Sequence, residues 1–135
     1  MNRLAELTKF ATRYAKAWCS QNPESVAAFF AERGSISINN GPPAVGRTAI
    51  AREAQAFMST FPDMIVTFDK LELRGNRTAF HWTLTGTNSG PGGKGKRVRI
   101  RGYELWQIGD DGLIAESKGH FDTAEYERQL KASDV

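Results

Sequence analysis

The run from Val98 to Ile108 constrains the fold most, because Val98, Ile100, Gly102, Glu104, Trp106 and Ile108 alternate with Arg97, Arg99, Arg101, Tyr103, Leu105 and Gln107. A period of two marks a half-buried strand, apolar on one face and polar on the other. The apolar face carries one carboxylate, Glu104. Asp110-Asp111-Gly112 follows and reads as a three-residue hairpin loop, with Gly112 in the left-handed conformation that only glycine adopts at no steric cost. The simplest register then sets Glu104 opposite Lys118, Trp106 opposite Glu116 and Gly102 opposite His120. Ile114, Glu116, Lys118, His120 and Asp122 would share the face of Glu104 and Trp106. A sheet face mixing Ile and Trp with Glu, Lys, His and Asp reads as a lined pocket.

Upstream, Leu4, Leu7, Ala11, Tyr14 and Trp18 recur at helical spacing, which predicts an amphipathic helix over residues 2–20. Asn22-Pro23 is a helix start, an N-cap side chain followed by a residue whose missing N–H costs nothing there. The short helix so begun is expected to run through Val26, Phe29 and Phe30 and to stop near Gly34. A strand over 35–39, a turn at Asn39-Asn40-Gly41, a helix from Gly46 to Pro62 and strands over 64–74, 77–87, 96–108 and 113–121 complete the chain, with a helical tail after Asp122. Helices set against sequential strands predict a single α+β domain over residues 1–135, a curved antiparallel sheet wrapped over N-terminal helices to form a cone with an apolar pocket.

Composition narrows the function classes. The chain has 135 residues, 40% hydrophobic and 24% charged, with a formal charge of +3. That suits one soluble domain, and no apolar run approaches the roughly 20 residues of a membrane span. The N-terminal segment carries charges throughout, unlike a signal peptide, so a cytoplasmic location and no membrane partner are expected. Cys19 is the only cysteine and His81 and His120 the only histidines, so neither a disulfide nor a metal centre is expected, and no organic cofactor is called for. Arg97, Arg99 and Arg101 lack interleaved aromatic stacking platforms, which argues for a solvated sheet face and against nucleic acid. The glycine-rich segment SGPGGKGKR, Ser89 to Arg97, joins two strands, whereas a phosphate-binding loop leads into a helix.

The segments AKAWCSQNPESVAAFFAERGSISI, VGRTAIAREAQAFMSTFPDMIVTFDKL, FHWTLTGTNSG and IRGYELWQIGDDGLIAESKGHFDTAEYERQL together resemble the SnoaL-like polyketide cyclase family, over nearly the whole chain. The resemblance implies the cystatin-like cone shared with ketosteroid isomerase and nuclear transport factor two. It also implies that Asp122, at the end of the last strand, serves as general acid/base. The chain departs from the family pattern at Asn88 and Lys118 and in its glycine-rich loop.

Three residues are thus candidates for proton transfer. Asp122 fits two roles, cap of the final helix in the box Asp122-Thr123-Ala124-Glu125 and acid/base beside His120. Glu104 either pairs with Lys118 or stands poised near neutrality in an apolar setting. Tyr14, Trp18, Phe30, Phe57, Met58, Met64, Trp82, Trp106 and Lys118 are the expected substrate-contacting residues. His81 falls on the outer face with Tyr103, Leu105 and the arginines, a surface suited to a homodimer. The function expected is isomerase, cyclase or dehydratase chemistry by proton transfer on an apolar carbonyl-bearing compound. A non-catalytic ligand-binding or dimeric interaction module is the alternative.

Overall fold

A computed structural model describes residues 3–131. Helix α1, Arg3–Cys19, buries Leu7, Phe10, Ala11, Tyr14 and Trp18 on one stripe, as their spacing requires. Helix α2 is short, Pro23–Ala27, and starts as predicted, with the Asn22 side chain accepting from the Glu24 N–H at 3.2 Å. It stops earlier than expected. Phe30 belongs to strand β1, Phe30–Ile38, because its backbone pairs with Ile114 of the last strand and its ring enters the core. Strand β2, Ala44–Val45, is a short edge that the sequence did not signal. Helix α3, Arg47–Thr60, buries Ile50, Ala54 and Met58.

Strands β3 (Ile65–Arg74), β4 (Arg77–Asn88), β5 (Lys96–Ile108) and β6 (Ile114–Phe121) form an antiparallel run. The full sheet has the order β2-β1-β6-β5-β4-β3, and β1 lies parallel to β6, so the sheet is mixed rather than wholly antiparallel. It curves around α1 as a cone, an α+β architecture. Tyr14 sits at the centre of the core, with edge-on contacts to Trp106 and Phe80 at centroid distances of 5.3 Å each, while Phe80 stacks on Trp106 at 4.9 Å. No helix among the described residues is long and apolar enough to cross a membrane.

Helix α4, Thr123–Lys131, covers the part of β5 that β6 is too short to reach. The Gln129 side chain accepts from the Arg99 N–H at 2.7 Å and donates to the Arg99 carbonyl at 2.8 Å, standing in for a missing strand neighbour. The 89–95 connection is organised by Asn88, whose side chain accepts from the Lys94 N–H at 3.1 Å and donates to the Tyr126 hydroxyl at 2.6 Å.

The β5–β6 register departs from the simple one. Gly112 does take a positive φ, +78°, and Ile108 does pair with Ile114. One residue later the ladder slips, for Gln107 pairs with Glu116 and Ala115 is the extra residue of a bulge. A slip of one residue exchanges the two faces of a strand. From there Trp106 faces Ser117, Glu104 faces Gly119, and Gly102 faces Phe121, while Lys118 stands opposite Leu105 and His120 opposite Tyr103. The expected pairs Glu104–Lys118, Trp106–Glu116 and Gly102–His120 do not form.

Candidate functional site

The concave face is best read as rows across the sheet. One row runs Thr78, Trp106, Ser117, Ile36; the next runs Phe80, Glu104, Gly119, Ile38; the third runs Phe68, Trp82, Gly102, Phe121. Members of all three rows border a cavity of about 60 Å³. Its walls are apolar: Ile36 and Ile38 from β1, Val66, Phe80, Trp82 and Leu84 from β3 and β4, Phe121 from β6, Trp18 and Phe57 from the helices. Glu104 is the one acidic side chain on that wall.

Glu104 is 6% exposed, in the middle of β5. Its Oε1 accepts three hydrogen bonds, from Ser117 Oγ at 2.7 Å, Tyr14 Oη at 2.9 Å and Trp106 Nε1 at 3.0 Å. Oε2 takes none of these. Burial pushes the carboxyl above its ordinary value of 4.5, and the bonds from Trp106, Ser117 and Tyr14, which favour the ionised form, oppose the rise without cancelling it. Tyr14 is held well above the usual phenol range, first by burial and then by the Glu104 carboxylate it donates to. The phenol therefore stays a donor throughout the neutral range. The Trp18 indole N–H leans toward the Tyr14 oxygen and eases that rise, but it falls outside hydrogen-bond geometry and is left without a partner.

This donor set was missed in part. Trp106 and Tyr14 were expected as pocket lining, and both instead lie fully buried beside the cavity with their polar atoms on Glu104. Ser117 was not foreseen at all. Trp18, Phe57 and Trp82 do border the cavity, whereas Phe30, Met58 and Met64 are core residues that do not. Lys118 is exposed on the convex face, away from Glu104, because the bulge turned it outward.

Asp122 and His120 are not brought to Glu104. The Asp122 carboxylate is exposed and caps α4, accepting from the Glu125 N–H at 3.1 Å. Glu125 turns to Arg128 and Gln129, and Arg128 above all holds its carboxyl down at about 2. His120 borders the cavity, but its ring packs against Tyr103 on the convex face, at a centroid distance of 5.0 Å. Tyr103 also meets the His81 ring at 5.7 Å and the Arg74 guanidinium at 5.2 Å, and His81 Nε2 bonds Glu72 at 2.5 Å. His81 thus lies on the outer face, and the hydrogen bond from it is the main reason that the Glu72 carboxyl sits below its usual value. Tyr103 and Leu105 are half-buried rather than laid bare, and the exposed large apolar side chains among the described residues are Leu4 on α1, Val45 on β2 and, at the β3 edge, Ile65 and Leu73.

No group of three metal-ligating side chains occurs among the described residues. The arrangement offers a buried carboxyl group with one oxygen held by three donors and the other taking none of those bonds, on an apolar wall.

Solved structures share this fold. A protein with a ketosteroid isomerase-like fold from Catenulispora acidiphila DSM 44928, in complex with trimethylamine, superposes with a TM-score of 0.79 at 17% identity, covering 93% of this chain and 94% of that one. TsrD from Streptomyces laurentii gives 0.80 at 20% identity, over 98% and 99% of the two chains. A phenazine biosynthesis-related protein from Pseudomonas aeruginosa gives 0.74 at 16% identity, over 98% and 92%. No curated protein matches the chain. The family model of SnoaL-like polyketide cyclase matches residues 8–130, so the chain belongs to the SnoaL-like polyketide cyclase family.

Proposed function

We propose that this protein is an enzyme that moves a proton on a small, apolar, carbonyl-bearing compound, in isomerisation, cyclisation or dehydration, with Glu104 as the acid/base. The observation that carries this reading is a buried carboxyl group whose Oε1 is saturated by Tyr14, Trp106 and Ser117 on the wall of an otherwise apolar cavity. Because Oε1 already accepts three donors, the proton of the neutral form resides on Oε2. Neutral Glu104 then donates to a carbonyl oxygen, and ionised Glu104 takes a proton from the carbon beside that carbonyl. Asp122 enters this reading as a helix cap.

Hydrogen–deuterium exchange at the α-carbon of a cyclic ketone in D2O, followed by proton NMR, tests it without the natural substrate. The protein is expected to accelerate exchange over buffer, and Glu104→Gln, which keeps an oxygen for the three donors, to abolish the acceleration. Equal rates for the two proteins would remove Glu104 from the chemistry.

A second reading has support from the wall itself. The rings of Trp18, Phe57, Phe80, Trp82 and Phe121 around one carboxylate resemble an aromatic cage for a small ammonium ion. The Catenulispora relative holds trimethylamine. Calorimetric titration with trimethylammonium separates the readings, since tight binding with no ketone exchange favours a binding protein. We further propose that copies of the chain pair through the convex sheet face around Tyr103 and Leu105, and that the protein works in the cytoplasm.

A further inference from the structure

The concave face of β5 presents Val98, Ile100, Gly102, Glu104 and Trp106, and of these only Gly102 contributes no side chain. The gap lies next to Glu104 and is filled from the neighbouring strand. Trp82, the β4 partner of Gly102, lays its indole over the glycine, so that a Cβ there would meet Cζ2 at 2.5 Å and Cη2 at 2.9 Å. The same Cβ would meet the His120 carbonyl at 2.3 Å. Trp82 is only half-buried, and its ring touches Phe121 at a centroid distance of 6.4 Å, whereas its same-face neighbours Phe80 and Leu84 are buried in the core. The wall beside the carboxylate is thus a side chain lodged in a vacancy of the backbone, and not the backbone itself.

Size gives this a consequence. An apolar cavity of about 150 Å³ admits benzene, and this one has about 60 Å³. With the indole on Gly102 the enclosed space is less than half of the volume that admits benzene, enough for the leading edge of one ring. With the indole swung out toward solvent, the seat over Gly102 joins the cavity and a ring plane can lie directly beside Glu104.

We propose that Trp82 is the specificity-determining residue of the site, its indole occupying the seat over Gly102 that a ring of the ligand takes, so that the residue at 82 sets how many rings reach Glu104. This rests on the reading of the cavity as the ligand site, and not on Glu104 performing catalysis.

The test compares binding of a one-ring and a two-ring ketone, cyclohexanone and 2-tetralone, by calorimetry to the wild type, Trp82→Ala and Trp82→Phe. The ratio of 2-tetralone to cyclohexanone affinity is expected to rise about tenfold or more in Trp82→Ala, in the range that pocket size contributes to discrimination. Trp82→Phe is expected to fall between, and it carries the test alone if the alanine variant melts below the assay temperature. The same rise is expected in the Glu104→Gln background. Measurable binding with an unchanged ratio overturns the role of Trp82 and leaves the cavity reading standing. If neither ketone binds any of the proteins, the cavity reading falls, and this inference with it.

Discussion

Glu104 ties the stability of the fold to pH, and replacing it by glutamine isolates that link. Glutamine keeps a carbonyl oxygen for Tyr14, Trp106 and Ser117, fills nearly the same volume, and cannot ionise. Below pH 4.5 the wild-type side chain is protonated both in the unfolded chain, at the ordinary carboxyl value, and in the folded protein, where burial has raised it. Its stability contribution is then fully present. Above pH 4.5 the unfolded chain releases the proton and the folded protein retains it, so the wild type loses about 1.4 kcal/mol per pH unit relative to the variant. The loss stops once the pH passes the folded-state value. The difference in unfolding free energy, Glu104→Gln minus wild type, is therefore expected to be flat in acid, to climb with that slope from about pH 4.5, and to level off, its height reporting the raised carboxyl directly. Urea unfolding followed by tryptophan fluorescence between pH 3.5 and 8 measures it, and the other titrating groups cancel between the two proteins. A flat difference throughout would refute the reasoning. A downward slope would show that the three donors outweigh burial and hold Glu104 ionised.

Asp122→Asn is expected to keep the α4 cap and the ketone exchange, while Asp122→Ala loses roughly 1 kcal/mol of stability, the usual worth of an N-cap. Loss of exchange in Asp122→Asn at unchanged stability would transfer the acid/base role to Asp122. Light scattering at micromolar concentration is expected to give a dimer, and Leu105→Arg, which adds a cation beside Lys118 on the convex face, a monomer. A wild-type monomer would end the dimer proposal.

Much of the fold was legible because its signals are local. The helical stripe of α1 from Leu7 onward, the Asn22-Pro23 start and the alternation of β5 each sit within a few residues and each held in the structure, whereas Leu4, at the head of the expected stripe, is exposed. What failed depends on distant partners. Phe30 looks like the continuation of a helical stripe, and it becomes a strand residue only because Ile114 offers it a ladder partner 84 positions away. The parallel pairing of β1 with β6 leaves no mark on either strand, since period-two patterning does not distinguish parallel from antiparallel neighbours.

The site shows how one bulge redistributes chemistry. Without the slip at Ala115, Glu104 would face a lysine, and a buried ion pair would fix the carboxylate in its charged form. With the slip, Ser117 and Gly119 turn inward, Lys118 turns out, and the partners of Glu104 are three uncharged donors gathered on one oxygen. Gly119 opposite puts no side chain against Glu104, whose Cγ lies 3.7 Å from where a Cβ would stand, and Gly102 one row along is covered by Trp82. The β5 sequence alone announced that a carboxyl group lies on the apolar face. Whether it became half of a salt bridge or a group able to hold and release a proton was decided by a single extra residue on the neighbouring strand, and that residue, an alanine, carries no sequence signal of its role.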